Sequence, residues 1–409
     1  MILAVVIRLP WAITSSQARG EIVTERNQRM LSNLKIQGKG LEIGPSFSPI
    51  CPKSKGYNIE IIDHLSKEEL IKKYVDDPNA GKYVDNIEEV DYVWDGRPYS
   101  QLIGRTGIYD FIIASHVIEH CVDLIEFLTE CSKLLKEDGT LSLAVPDKRY
   151  TFDYFREVSS IRTVIDGNRY RMHKSHSLGT LIDSYFNTVA FDRGGVYMPD
   201  SAYLLEENLI YQKDIEKMRK SIDVYHEDDY IDCHSWVFTP ASFQLLIYQM
   251  NSIGLINLYV DELYKAPESI EFLVKLKKGK VNFQYETLLK IQLERQKEFK
   301  QANSYDLNLP VWVKGKKIYI YGAGKRALRI VGYLKALEIE LQGFIVSDDQ
   351  PISRPSLCDK PIHHISEISP ESENLGIVLG VSEEFHEEVM KVLERNGMVG
   401  CCFRVPGIR

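Results

Sequence analysis

Between about residues 38 and 146 the chain alternates short apolar runs with amphipathic stretches. That rhythm predicts βαβ units and a parallel sheet. Gly40 to Gly44 reads as a strand ending in a turn, Tyr57 to Asp63 as a second strand ending in an acid, and Tyr109 to Ser115 as a third. From Leu124 to Lys136 the residues Leu124, Phe127, Leu128, Cys131, Leu134 and Leu135 recur at spacings of three and four, the mark of an amphipathic helix. Gly139 is placed to close that helix in a left-handed cap. Thr140 to Val145 is the next strand, stopped by Pro146.

From about 147 to 276 the periodicity weakens and Tyr, His, Asp and Arg accumulate, as expected of a substrate-binding insert, here about 148–240. Thr239-Pro240 sets up a helix start by the preferred cap-then-proline order, and Phe272 to Leu276 reads as a last strand of the same sheet. A charged helix over 284–302 is expected to bridge to a second α/β unit. There Lys317 to Tyr321 is a strand, a helix runs to about Leu337, and Gly343 to Val346 and Gly376 to Leu379 are further strands, followed by a helix from Glu383 to Arg395. The expected architecture is α/β: a Rossmann-like doubly wound sheet with a helical and loop insert, then a smaller Rossmann-like domain. The expected boundaries are an N-terminal segment over 1–37, a main domain over 38–276, a helical linker over 277–315 and a small domain over 316–409.

Composition changes this picture little. A length of 409 residues suits more than one domain, and 44% hydrophobic with 26% charged residues is ordinary for a globular protein. The net charge of −8 argues against nucleic acid as the partner, since phosphate binding needs a basic face. Seven cysteines without a CxxC pair argue against a zinc knuckle or redox site and suit a reducing cytoplasm, the expected location. The apolar run Met1 to Ile7 lacks a basic flank, is interrupted by Arg8 and Pro10, and reads as a strand or frayed segment. No stretch is long and apolar enough for a transmembrane helix.

The chemistry concentrates at three strand ends. A turn that approaches a ligand closely cannot carry a side chain, which suits Gly44. Asp63, about twenty residues on, is placed to accept hydrogen bonds from both hydroxyls of a ribose. His116-Val-Ile-Glu119-His120 then follows the third strong strand, and Leu134 to Gly139 leads into the next. In this order and spacing the chain resembles class I S-adenosylmethionine-dependent methyltransferases over residues 38–147, in particular the group with a His-x-x-Glu-His segment after the fourth strand. The segments Pro146 to Asp153 and His234 to Pro240 resemble a bacterial subfamily associated with surface-polysaccharide and other envelope sugar pathways.

The resemblance implies S-adenosylmethionine as cofactor. It implies that Glu42 and Gly44 frame the methionine end, that Asp63 holds the ribose, that Trp94 and Asp95 border the adenine, and that Ser115 and His116 line the methyl-donor pocket. The family's first turn often carries three glycines; here Pro45 and Ser46 replace the later ones, so the contacts of Ser46 stay open. His116 and His120 stand four apart, but a zinc-protease helix reads His-Glu-x-x-His, so no metal is expected.

Methyl transfer is an in-line displacement at a sulfonium carbon. A hydroxyl acceptor must be aligned about 3 Å away and lose its proton. Histidine suits the proton acceptor, and the candidates are His116, His120, His173, His176, His226 and His234, with His120 or His234 but not both expected in that role. Asp147 is placed to orient either one. Arg149, Tyr150, Arg156 and Trp236 would suit a sugar surface, or equally an ordinary interdomain one. In the second unit Gly322-Ala-Gly324-Lys-Arg-Ala327, with Asp348 about twenty residues on, fits a dinucleotide turn. The region resembles small nucleotide-sugar-binding modules appended to polysaccharide enzymes. A cysteine-rich zinc segment found in some sugar C-methyltransferases is missing, which favours O-methylation. The expected partner is a sugar, nucleotide-sugar or glycan acceptor; self-association is left open. The rival readings are an NAD-dependent sugar oxidoreductase and a non-catalytic binding protein that kept the fold.

Overall fold

The computed structural model describes residues 25–403 apart from 79, 170–175, 192–208, 211–215, 217–218, 220–221, 224, 226–230, 266–268, 302–311, 314, 337, 370–373 and 382. Met1 to Ile7, His173 and His226 therefore lie outside the described residues. The chain divides into two compact units, residues 1–198 with 210–299, and residues 199–209 with 300–409.

The strands of the first unit are β1 (Gly40–Ile43), β2 (Ile59–Asp63), β3 (Tyr92–Val93), β4 (Tyr109–Ser115), β5 (Leu135–Pro146), β8 (Leu258–Lys265) and β9 (Glu271–Lys278); the two-residue strands β6 (Ala190–Phe191) and β7 (Leu209–Ile210) stand outside its sheet. The sheet order is β3-β2-β1-β4-β5-β9-β8. Neighbours from β3 to β5 are parallel, whereas β9 runs antiparallel to both β5 and β8. The chain winds outward from β1 through β2 to β3, then returns to β4 on the other side. The carboxyl ends of β1 and β4 therefore flank a topological switch point, where ligands of such sheets bind. Phe111, Ile112 and Ile113 of β4 are fully buried. A parallel strand covered on both faces reads as an unbroken apolar run for that reason.

The helix expected from Leu124 ends at Leu134, and its Asp123 cap accepts a hydrogen bond from Glu126 N. Gly139 does not close it. That residue sits inside β5 outside the left-handed region, where a Cβ would come within 3.1 Å of the Tyr109 carbonyl and 2.9 Å of Leu135 Cδ2. Close packing, not a cap, makes glycine necessary there. Thr239 caps the Pro240–Ser252 helix in a capping box with Ser242.

Two expected boundaries move. Residues 25–31 are helical, and Met30 is fully buried against the sheet with Ile59, Phe111 and Ala144, so this stretch belongs to the first unit. The expected linker helix, Tyr285–Gln301, packs Ile291 against Leu245 and Tyr248, and Glu298 accepts a hydrogen bond from Ala241 N at 3.1 Å. Burying an isoleucine is worth about 1.5–3 kcal/mol. A fragment ending at residue 301 is therefore expected to outlast one ending at 280 by about 2 kcal/mol. Urea denaturation checks this, and coincident midpoints would show that the helix is a mere tether.

The second unit holds β10 (Lys317–Tyr321), β11 (Leu341–Val346), β12 (Ser356–Leu357), β13 (Lys360–His364), β14 (Leu375–Leu379) and β15 (Cys402–Phe403), ordered β12-β13-β11-β10-β14-β15. All neighbours are parallel except β12 with β13. It is the second, smaller Rossmann-like domain, with its switch point at the end of β10.

Candidate active site

The first turn is shaped for a close ligand. Gly44 follows β1 at φ +64°, and a Cβ on it would meet Val117 Cγ2 at 2.9 Å. Ser46 adopts φ +49°, a strained conformation for a residue with a side chain, and its buried Oγ has no hydrogen-bond partner. Ser46 N donates to Asp63 Oδ2 at 2.9 Å. Asp63 ends β2 almost fully buried, with its other oxygen accepting from His64 N at 2.7 Å. Glu42 is buried beneath, where it accepts from Ile50 N at 2.7 Å and Cys51 N at 3.0 Å and so shapes the loop that leaves the turn. Burial pushes the Glu42 carboxyl up to about 7, against those two N–H donors. Trp94 leaves β3 with its N donating to Asp63 O at 2.8 Å and its Nε1 to Arg97 O at 2.9 Å. Asp95 is exposed and paired with Arg97. A glycine turn at a strand end, an unpartnered Ser46 hydroxyl and a buried acid at the next strand end fit a nucleoside bearing a short polar chain.

The end of β4 differs from expectation in detail. Ser115 Oγ accepts from Arg26 Nη2 at 2.7 Å, and His116 Nε2 lies 2.7 Å from Glu271 Oε2. Arg26 also donates through Nε and Nη2 to Glu271. The side chains of Ser115 and His116 are thus held by a buried charge network that ties residue 26 and β9 to β4. Burial works to lower the His116 imidazole, but Glu119 and Glu271 outweigh it and hold it up at about 9. His116 stands at φ +54°, the conformation that turns the chain sharply out of the strand.

Residues Ile118–His120 then form a single 3-10 turn rather than an α-helical face. Its backbone is bracketed from the far side of the chain, since Ser235 N and Trp236 N donate to Glu119 O at 2.7 and 3.2 Å and Trp236 Nε1 to Cys121 O at 2.7 Å. This brings His234 onto His120, ring centroids 4.7 Å apart and perpendicular. The two rings and the carboxylate of Glu119 place one donor atom each within 4.8 Å of one another. His120 Nδ1 lies 2.8 Å from Asp232 Oδ1, and His234 Nδ1 lies 2.5 Å from Asp153 Oδ2. Burial works to lower the His120 imidazole and Asp232 more than offsets it; for Asp153 burial works upward, and His234 and Arg156 hold the carboxyl down at about 2. His176 lies against Ser235 Oγ at 2.5 Å, its imidazole pushed down to about 4 by burial.

Several expected roles fall to other residues. Asp147 orients neither histidine: fully buried, it accepts from Arg149 N, Nε and Nη2. The orienting carboxylates are Asp232 and Asp153. Arg156 and Trp236 offer no sugar surface. Arg156 is buried between Asp153 and Asp183, and Trp236 is buried beside Gly167. Arg26, Glu119, Asp153, Asp232 and Glu271 were not singled out from sequence; only Glu119 and Asp153 stood inside recognised segments.

In the second unit Gly322 takes φ +103°, and a Cβ there would meet Val381 Cγ1 at 2.9 Å. Gly324 precedes the Lys325–Ala336 helix with open space where a Cβ would stand, and exposed Asp348 accepts from Ser366 Oγ at 2.8 Å.

Residues 17–192 match the family model of a methyltransferase domain. The first unit therefore holds a stretch that matches a methyltransferase domain, on a Rossmann-like α/β sheet, and such a domain implies S-adenosylmethionine as cofactor. Among curated proteins none matches the chain. Solved structures similar to it include a candidate sarcosine dimethylglycine methyltransferase from Galdieria sulphuraria, 18% identical over 38% of this chain and 55% of that one, with a TM-score of 0.23. The CcbJ methyltransferase from Streptomyces caelestis is 11% identical over 61% and 87% of the two chains, TM-score 0.32. A methyltransferase from Methanosarcina mazei is 15% identical over 61% and 95%, TM-score 0.32. The chain thus spans about half of the Galdieria protein.

If Asp63 holds the ribose, Asp63→Ala is expected to weaken S-adenosylhomocysteine binding by about 1.5–3 kcal/mol, the worth of a charge-assisted hydrogen bond. Calorimetry reads this directly, and unchanged affinity refutes the assignment.

Proposed function

We propose that the protein transfers a methyl group from S-adenosylmethionine to a hydroxyl of a sugar or glycan, in the making of a surface polysaccharide. The observation that carries the reading is the meeting of His120 and His234 at the carboxyl end of β4. Val117, three residues earlier, packs its side chain on Gly44. One short segment thus faces the cofactor turn at one end and a polar cluster at the other. S-adenosylmethionine, when bound, supplies an electrophilic methyl carbon on sulfur. Gly44, Ser46 and Asp63 would hold it, with Glu42 shaping their loop and Trp94 and Asp95 bordering the base. The His120–His234 cluster would take the proton of an acceptor hydroxyl whose oxygen accepts that methyl group. Each imidazole has Nδ1 engaged by an aspartate, which favours the tautomer whose Nε2 is free to take a proton. The sugar acceptor rests on the resemblance of residues 146–153 and 234–240 to enzymes of envelope sugar pathways. The Gly322–Gly324 turn, with Asp348, is proposed as a nucleotide-binding element of the second unit, on its position at the switch point of that sheet.

The test is mass spectrometry of the native polysaccharide from cells with and without this protein. A methyl substituent of about 14 Da present only with the protein supports the reading. Identical glycans, with turnover by the purified protein on a non-sugar acceptor, would overturn the substrate class.

A further inference from the structure

Among the described residues, the Glu119 carboxylate is buried, at 1% exposure, with both oxygens lacking a hydrogen bond. His116 Nδ1 stands at 3.5 Å and His120 Nε2 at 3.9 Å, near enough for attraction. A buried carboxylate without hydrogen bonds is costly, and such groups call for a partner such as an ion. The two imidazoles beside it are prepared as ligands. Asp232 and Asp153 engage the Nδ1 atoms of His120 and His234, which leaves each Nε2 for coordination. Carboxylate-backed histidine is the usual support of a metal-binding imidazole, fixing its tautomer and raising its basicity. His120 keeps 26% of its side chain exposed, giving an ion a path from solvent.

We propose that Glu119, His120 and His234 bind a divalent transition-metal ion of the zinc class. Two imidazoles and one carboxylate favour zinc and similar late transition-metal ions over magnesium and calcium, which prefer all-oxygen sites. Ligands about 2.0–2.2 Å from zinc stand about 3.4 Å from one another. The three donor atoms, within 4.8 Å, reach that spacing by drawing in by roughly an ångström. Three protein ligands leave a fourth position open to water or to an acceptor oxygen, the arrangement of catalytic rather than structural zinc. The proposal rests on the methyltransferase reading for the meaning of that open position, and with an ion bound it gives both histidines one shared task, coordination, in place of taking the proton themselves. An acceptor hydroxyl held there would lose its proton to water more readily, before its oxygen attacks.

The test uses the full chain stripped with a chelator, then titrated with zinc chloride in a calorimeter and with cobalt chloride by visible absorption. The expected result is one ion per chain, with cobalt bands of nitrogen and oxygen ligation and no thiolate charge transfer. Glu119→Gln, close in shape to the native residue, and His234→Ala are expected to weaken zinc binding about 100-fold or more, and Asp153→Asn about 10- to 100-fold. No stoichiometric ion on the folded wild-type chain overturns the site. So does an affinity unchanged in Glu119→Gln and His234→Ala, or a thiolate signature, since either places the ion on other residues. S-adenosylhomocysteine binding and methyl transfer are measured on the same samples. If both persist without an ion, the metal site falls and the methyltransferase reading stands.

Discussion

Glu271→Ala is expected to destabilise the first unit by about 3–5 kcal/mol, the cost of removing one partner from a buried ion pair. Glu271 starts β9 with only 7% of its side chain exposed, and it answers two cationic groups, Arg26 and His116. Without it, Arg26 keeps Ser115 Oγ as its neutral acceptor on β4, which does not balance a guanidinium taken out of water. The loss is read as a lower urea midpoint at unchanged slope. Removing both charges should hurt less, because desolvation then falls away with attraction. Arg26→Met with Glu271→Leu is therefore expected to recover much of the loss. A single variant within about 0.5 kcal/mol of wild type, the range of ordinary surface changes, would mean that this network is not formed.

That network also marks where sequence reading stopped. The β4 run was legible because a strand buried on both faces leaves no polar position in its middle, and Gly44 and Asp63 because a tight turn and an acid at a strand end each have a local physical cause. The His-x-x-Glu-His segment was legible as a segment, but it was weighed as an α-helical face, on which His116 and His120 would pair. The strained φ of His116 and the 3-10 turn after it instead set both imidazoles against the Glu119 carboxylate, His116 Nδ1 at 3.5 Å and His120 Nε2 at 3.9 Å. The groups that define their chemistry lie 81, 112 and 245 residues away along the chain, for Asp153 to His234, Asp232 to His120 and Glu271 to Arg26. No local period encodes such pairings; the packing of the insert and of β9 against β4 does. Gly139 failed for the opposite reason. A glycine after an amphipathic helix fits a cap by local logic, yet strand crowding at Tyr109 and Leu135 made the requirement.

His120→Ala and His234→Ala are each expected to slow methyl transfer by about 100- to 10,000-fold while leaving S-adenosylhomocysteine affinity nearly unchanged. From sequence only one of the two was expected to matter, since a single base suffices. The geometry argues for both. Each ring has its own aspartate, each places a donor atom within 4.8 Å of the same buried carboxylate, and neither touches Gly44, Ser46 or Asp63 by any hydrogen bond of the described residues. Rate and cofactor affinity should therefore separate in these variants, as they should not for Asp63→Ala. Asp232→Asn and Asp153→Asn supply a control on the cause. They keep the imidazoles but weaken the carboxylates that set their tautomers, so a partial loss is expected from each. Single-turnover measurements on the methylated acceptor separate the chemical step from binding. If one histidine variant keeps full rate, the other is a lone base and the shared role is wrong. If both keep it, the proton leaves elsewhere, and the cluster at the end of β4 is not where the acceptor reacts.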